Sequence, residues 1–387
     1  MSQPFRSPPS GRWALALAAG VLVVAGLAAA PAPADPRRPG ARGVPGGAVN
    51  GHVDVVTPKA PPADTSVTAD GETEPVGAAG DAADDMAFWV HPDDPSKSVV
   101  IGTDKEGALE VYDMAGSRLQ AIDPTSRPGN VDLRPGFSLG GKTVDLIGVV
   151  GYGMRFYTID PATRMLTNVT APDVKPGMPV AGMCMYRSPV SGKHYLFADT
   201  LAGEAAQYEL VDEGGKVNAH LVRGPWQIGS EAEACVFDDE RKILYVAEEE
   251  VGIWAYGAEP GDSTSDRKLV DGAAPSAGLL SPDVEGLAVV YQPAGGGYLI
   301  ASSQGDDSFV VYQRNEPWSY VKKFKVDAGP VTDRCSRTDG IDAVAANLGP
   351  LFPKGVFSCQ DHINDAPGST GNQDFKLVRL EKILDLA

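Results

Sequence analysis

A strand–turn–strand unit recurs along this chain, and no other feature limits its fold so tightly. The unit is an apolar strand, a polar or acidic turn with glycine, then a second strand ending at tyrosine. It reads VVIGTDKEGALEVY at 99–112, HYLFADTLAGEAAQY at 194–208, ILYVAEEEVGIWAY at 243–256 and YLIASSQGDDSFVVY at 298–312. A fainter copy, VDLIGVVGYGMRFY, occupies 144–157. The terminal tyrosines, Tyr112, Tyr157, Tyr208, Tyr256 and Tyr312, are 45, 51, 48 and 56 residues apart. A degenerate copy around 354–375 makes six. Repeats of that length, each holding several short alternating strands, fit β-propeller blades. One such blade cannot bury both faces of its sheet; a ring of blades can. The expectation is an all-β, six-bladed β-propeller over residues 66–387, with short four- to five-stranded blades. With 45 glycines and 32 prolines the chain favours turns over long helices.

A second pattern runs about 25 residues upstream of the tyrosines, where an acid or amide precedes a short β-type run. Its members are Asp84-Asp85, Asn130-Val131-Asp132, Glu233, Asp283-Val284-Glu285 and Asp339. From Asp85 the steps are 47 to Asp132, 101 to Glu233, 52 to Glu285 and 54 to Asp339. The double step brackets a missing member near Ala181-Gly182, where no acid stands. Acids at one place on successive inner strands face a central channel. Like charges gathered there are unfavourable unless cations compensate them. Oxygen ligands in this number suit Ca²⁺, and several ions of it, better than zinc or copper. With five histidines and no HExxH or Cys/His cluster, a zinc site is not expected.

The formal net charge of −18 argues against nucleic acid or an anionic membrane surface as partner. Arg6 and Arg12 precede an apolar run from Trp13 to Ala30, which ends in Pro31-Ala32-Pro33-Ala34-Asp35. That is the pattern of a secretory signal peptide over residues 1–34, with cleavage near Ala34. The alternative is an uncleaved anchor, since the run almost spans a bilayer. Once the leader is removed, no stable membrane span is expected, and the protein is secreted or periplasmic. Residues 35–65, rich in proline, glycine and alanine, read as a linker. Export permits disulfides, and Cys184, Cys235, Cys335 and Cys359 allow three pairings. Cys335–Cys359 is preferred because both lie in the last repeat; free buried thiols are the alternative.

At this point the sequence resembles the β-propeller phytases, the alkaline, calcium-dependent phytate phosphatases of bacteria. The segments that carry the resemblance include ETEPVGAAGDAADDMAFWVHPDDP at 72–95, GNVDLRPGFSLGGKTVDL at 129–146 and EAEACVFDDERKILYVAEEEVGIWAY at 231–256. SPDVEGLAVVYQPAGGGYLIASSQGDDSFVVYQR at 281–314 and TDRCSRTDGIDAV at 332–344 complete it. The resemblance implies a metal-binding pair at Asp84 and Asp85, rim acids at Glu72 and Asp81, and an N-x-D element at Asn130 and Asp132. It implies a calcium cluster at Glu233, Glu249, Asp283, Glu285 and Gln304, with late aspartates at Asp333 and Asp339. Lys105 matches a lysine that contacts substrate phosphate, and Glu233 or Glu249 is placed to orient or deprotonate the attacking water. The ligand implied is a phosphorylated small molecule such as phytate, met by a monomer.

The sequence also departs from that family. A Ser-Asn-Arg element after the second-blade strand is replaced by Val150-Gly151-Tyr152-Gly153-Met154, with Arg155 displaced. An inner tyrosine of blade three falls at Ala181, and a Lys-Glu pair falls at Leu201-Ala202. The acidic side of the site is kept, and much of the phosphate-gripping side is not. Two rival readings therefore stand beside the phosphatase: a non-catalytic calcium-binding propeller, and a lactonase-type propeller hydrolase.

Overall fold

The computed structural model describes residues 60–122, 127–275, 278–366 and 368–386. The expected leader and most of the expected linker lie outside the described residues. Six small sheets follow one another around a channel. Their innermost strands are Ala83–Trp89, Val131–Leu139, Met183–Arg187, Cys235–Asp238, Val284–Tyr291 and Ile341–Val344. Each blade then steps outward through antiparallel strands. In blade three these are His194–Asp199, Glu204–Asp212 and Val217–Gln227.

The ring closes in a way the repeats do not announce. Blade six supplies only three strands in sequence, and Gly71–Glu72 adds its fourth, antiparallel to Asp374–Arg379. Thr65–Thr68 lies parallel to Tyr320–Asp327 as a fifth strand on blade five. Asp64 also accepts a bond from the Lys323 backbone N–H, so the expected linker ends before residue 65. Short N-terminal strands thus hold the two last blades to the beginning of the chain.

The periodic tyrosines are wedges between blades. Tyr112, Tyr157, Tyr208, Tyr256 and Tyr312 are all buried. Each packs with the blade before its own: Tyr157 with Ile101 and Val111, Tyr256 with Phe197 and Tyr186, Tyr312 with Tyr245 and Ile253. The phenol oxygens keep polar partners, as a buried hydroxyl requires; that of Tyr312 donates to Asp271 at 2.7 Å. The hydrophobic core is therefore a set of clusters lying between neighbouring sheets.

Both disulfides are formed. Cys335–Cys359 sits in blade six, as preferred from sequence, and Cys184–Cys235 joins the inner strands of blades three and four. Among the described residues no helix is long and apolar enough to cross a membrane.

Candidate active site

The inner strands leave backbone N–H groups facing their neighbours, and acids meet them. Asp85 accepts from the Val131 N–H at 3.0 Å, Asp132 from Met185 at 2.8 Å and Asp342 from Phe88 at 2.8 Å. These carboxylates stitch one blade to the next. Asp85 and Asp132, which the sequence reading assigned to metal, line the channel while each gives a carboxylate oxygen to a backbone N–H. Asp132 also forms an ion pair with Arg134 at 2.8 Å. For Asp85 the cause is the two-residue alternation of a strand: it cannot share one face with the adjacent Asp84.

Bulges re-aim the others. The inner strand of blade one shifts register between Ala83 and Met86, and that of blade five between Val284 and Leu287. These irregularities turn Asp84 and Glu285 into the channel mouth, a common use of a bulge beside a site. Two acid–glycine pairs, Glu285-Gly286 and Asp339-Gly340, bring neighbouring blades close. The Gly286 N–H donates to the Asp339 carbonyl at 2.8 Å, and the Gly340 N–H to the Asp84 carbonyl at 2.9 Å. A methyl group on Gly340 would lie 2.3 Å from Asp85 Oδ1, so only glycine allows the approach.

At this mouth Asp84, Glu233, Glu285 and Asp339 line the channel together with Asn130. Glu231, Glu233 and Glu249 bring carboxylate oxygens within 4.8 Å of one another. Sequence reasoning missed Glu231, although it stands two residues before Glu233. The Val284 N–H donates to the Glu249 carbonyl at 3.0 Å, which joins blades four and five here. Asp283 sits beside this group, and Gln304 Nε2 donates to Asp339 at 2.6 Å. Of the Glu248-Glu249-Glu250 run, Glu248 is structural, accepting from Ser230 and from the Trp254 indole.

One cation stands among these acids. Lys105 Nζ lies 3.0 Å from Asp84, 3.4 Å from Asp81 and 3.8 Å from Asp339. Burial alone would depress its pKa, but Asp84 and Asp339 outweigh that and raise it. A single lysine cannot balance the group. Burial, then the charge of Asp84, lifts Glu233 to about 7. Burial, then Glu231 and Glu233, lifts Glu249 to about 8. Glu285 and Asp339 are pushed well above the usual range, by burial first and by neighbouring acids second. Carboxyls raised in this way, convergent in a cleft, mark a functional site.

The structure does not bring Glu72 and Asp333 to this mouth. Both turn to Lys376 within blade six, which also meets Asp374 at 2.9 Å and Asp361 at 3.5 Å. Glu72 lines a separate cavity with Asn364. The reason is the closing strand, which sets Glu72 opposite Lys376 in register.

The phytase family profile matches residues 54–386. The chain belongs to the phytase family. It is accordingly a phytase-type hydrolase. A 3-phytase of Bacillus subtilis (strain 168) is 39% identical over 326 residues, which are 82% of this chain and 84% of the relative. Two solved structures are more distant. One is a structural-genomics protein of unknown function from Bacteroides thetaiotaomicron, 9% identical, with a TM-score of 0.49 over 80% of this chain and 72% of that one. The other is an auxiliary nutrient binding protein from Bacteroides ovatus, 12% identical, with a TM-score of 0.47 over 79% and 76%. At those scores neither bears on the site of this phytase.

The departures from the family pattern can now be placed. Leu201 is exposed at its turn, and Arg155 donates to the Met154 carbonyl. At the rim, Arg127 is paired with Glu106.

Proposed function

We propose that this phytase is exported and releases phosphate from phytate, or from a related phosphoester, with calcium as its metal. The observation that carries the reading is the convergence of Asp84, Glu231, Glu233, Glu249, Glu285 and Asp339 at one channel mouth with Lys105 as their near cation. The donor set fits a hard cation: every candidate ligand is an oxygen, and the charge is far from balanced. Glu231, Glu233 and Glu249 would hold one ion, and Asp84, Glu285 and Asp339 face the same space. What calcium supplies there is positive charge toward phosphate oxygens and a lowered pKa for water.

The remaining work belongs to the chain. Lys105 Nζ, released from its acids when they have another cation, donates to a substrate phosphate oxygen. Glu233 or Glu249 accepts the proton of the attacking water as its oxygen bonds to phosphorus. The bond from phosphorus to the leaving oxygen then breaks; that oxygen takes a proton from solvent water, to which the glutamate returns its own. Two disulfides suit an oxidising compartment, which supports export.

The test is phosphate release from phytate by the purified chain with calcium, with chelator, and in Glu233→Gln. Calcium-dependent release that the chelator and the substitution both abolish is expected. No release from any phosphoester, or release indifferent to both treatments, overturns the reading.

A further inference from the structure

Blade three lacks an acid on its inner strand, yet a buried carboxyl ends the strand beside it. Asp199 ends the second strand of that blade, His194–Asp199, and is fully buried. Its backbone is held on both sides of the gap: the Ala181 N–H donates to the Asp199 carbonyl at 2.8 Å, and the Asp199 N–H to the Gly182 carbonyl at 3.1 Å. The side chain is only half accounted for. Oδ1 accepts from the Gly182 N–H at 2.9 Å. Oδ2 is buried and has no hydrogen-bond partner among the described residues.

The same position in other blades shows how unusual this is. Asp104 ends the second strand of blade one, and its oxygens accept from the Glu106 and Ala78 N–H groups. Glu248 ends that of blade four, and its oxygens accept from Ser230 and the Trp254 indole. In blade six Asp361 has Ser336 on one oxygen and Lys376 near the other. Among the described residues Asp199 has neither a second donor nor a cation. The charges that weigh most on it are those of Glu233 and Glu249. It also lies close to the backbone of Glu233: a methyl placed on Gly182 would be 1.9 Å from the Glu233 carbonyl oxygen and 2.6 Å from Asp199 Oδ1.

A buried carboxylate oxygen left without a partner is strongly unfavourable. A hard cation resolves it, and a carboxylate is what such a cation selects. We propose that Asp199 is the contribution of blade three to the cation-binding mouth, with Oδ2 as a ligand on the Glu233 and Glu249 side. The acid missing at Ala181-Gly182 is thus supplied from the neighbouring strand. The side chain reaches across Gly182, where any other residue would block it.

This inference rests on the reading of the mouth as a calcium site, and its test separates the two. Chelator-treated wild type and Asp199→Asn are titrated with calcium chloride by calorimetry, and their melting is followed with and without calcium. Asparagine keeps the acceptor for the Gly182 N–H and removes only the charge on Oδ2. The expected result is loss of one calcium, or about a tenfold or greater loss of affinity at one site. The metal-free melting temperature is expected to stay or rise, and the calcium-induced rise to shrink. Asp199→Thr, which keeps a hydroxyl acceptor, should behave alike. Titrations and melts identical to wild type overturn the inference and leave the calcium reading intact. So does failure of both variants to fold in calcium, since Asp199 is then a framework residue. If wild type itself takes up no calcium, the calcium reading falls as well.

Discussion

Lys105 shows how one side chain balances a site that is otherwise all acid. It is mostly buried and touches Asp81, Asp84 and Asp339. Removing it leaves those carboxylates facing one another. Lys105→Met keeps the stem of the side chain and deletes only the charge. The metal-free protein should then lose stability, read as a lower melting temperature in chelator. In calcium the same variant should fold normally but bind phytate less well. One charge-assisted bond contributes about 1.5–3 kcal/mol, so KM should rise roughly ten- to hundredfold. An unchanged KM would remove Lys105 from the substrate path. The contrast between Asp84 and Asp85 belongs to this scale as well. Side by side in sequence, they part company because the bulge sends one to the mouth and the other to the Val131 N–H.

At the scale of elements, neighbouring inner strands meet edge to edge, joined by carboxylate stitches and one covalent link. Cys184–Cys235 ties blade three to blade four just below the Glu231, Glu233 and Glu249 group. It spans 51 residues of sequence. Closing a loop of that size restricts the unfolded chain by about 3–4 kcal/mol. The double substitution Cys184→Ser with Cys235→Ser should lower the melting temperature by several degrees and weaken calcium binding. Loss of stability with unchanged calcium affinity would show that the link serves the fold alone. Blades were readable in the sequence because alternation and the closing tyrosine depend only on near neighbours. Asp84, Glu233, Glu285 and Asp339 were readable for the same reason, each standing at a fixed offset from its blade. What could not be read depends on distant pairings. Nothing near Glu72 reveals that it will face Lys376, nor anything near Asp132 that the Met185 N–H will claim it. Asp199 escaped notice because it looks like an ordinary strand end, and only the empty inner position beside it gives it a role.

For the whole molecule, the excess of acid has a consequence for pH that metal reverses. In the folded, metal-free chain Glu233 and Glu249 hold protons up to about 7 and about 8, against an ordinary glutamate value of 4.5. The folded state therefore binds more protons than the unfolded state between those limits. Stability must then fall as pH rises from about 4.5 through about 8, which is the sign that linkage requires. Calcium needs the same oxygens without their protons, so its affinity rises over that window. Ligand that binds only the folded state adds stability in proportion to the logarithm of its concentration over Kd. The two effects act together. The melting temperature in chelator should drop between pH 5.5 and pH 8, and the gap between calcium and chelator should widen. Calorimetric melts at the two pH values, with calcium in large excess in one arm and chelator in the other, read both quantities. A gap that is equal or smaller at pH 8 would mean that protons and calcium do not compete for Glu233 and Glu249. The mouth would then be an acidic surface rather than a metal centre.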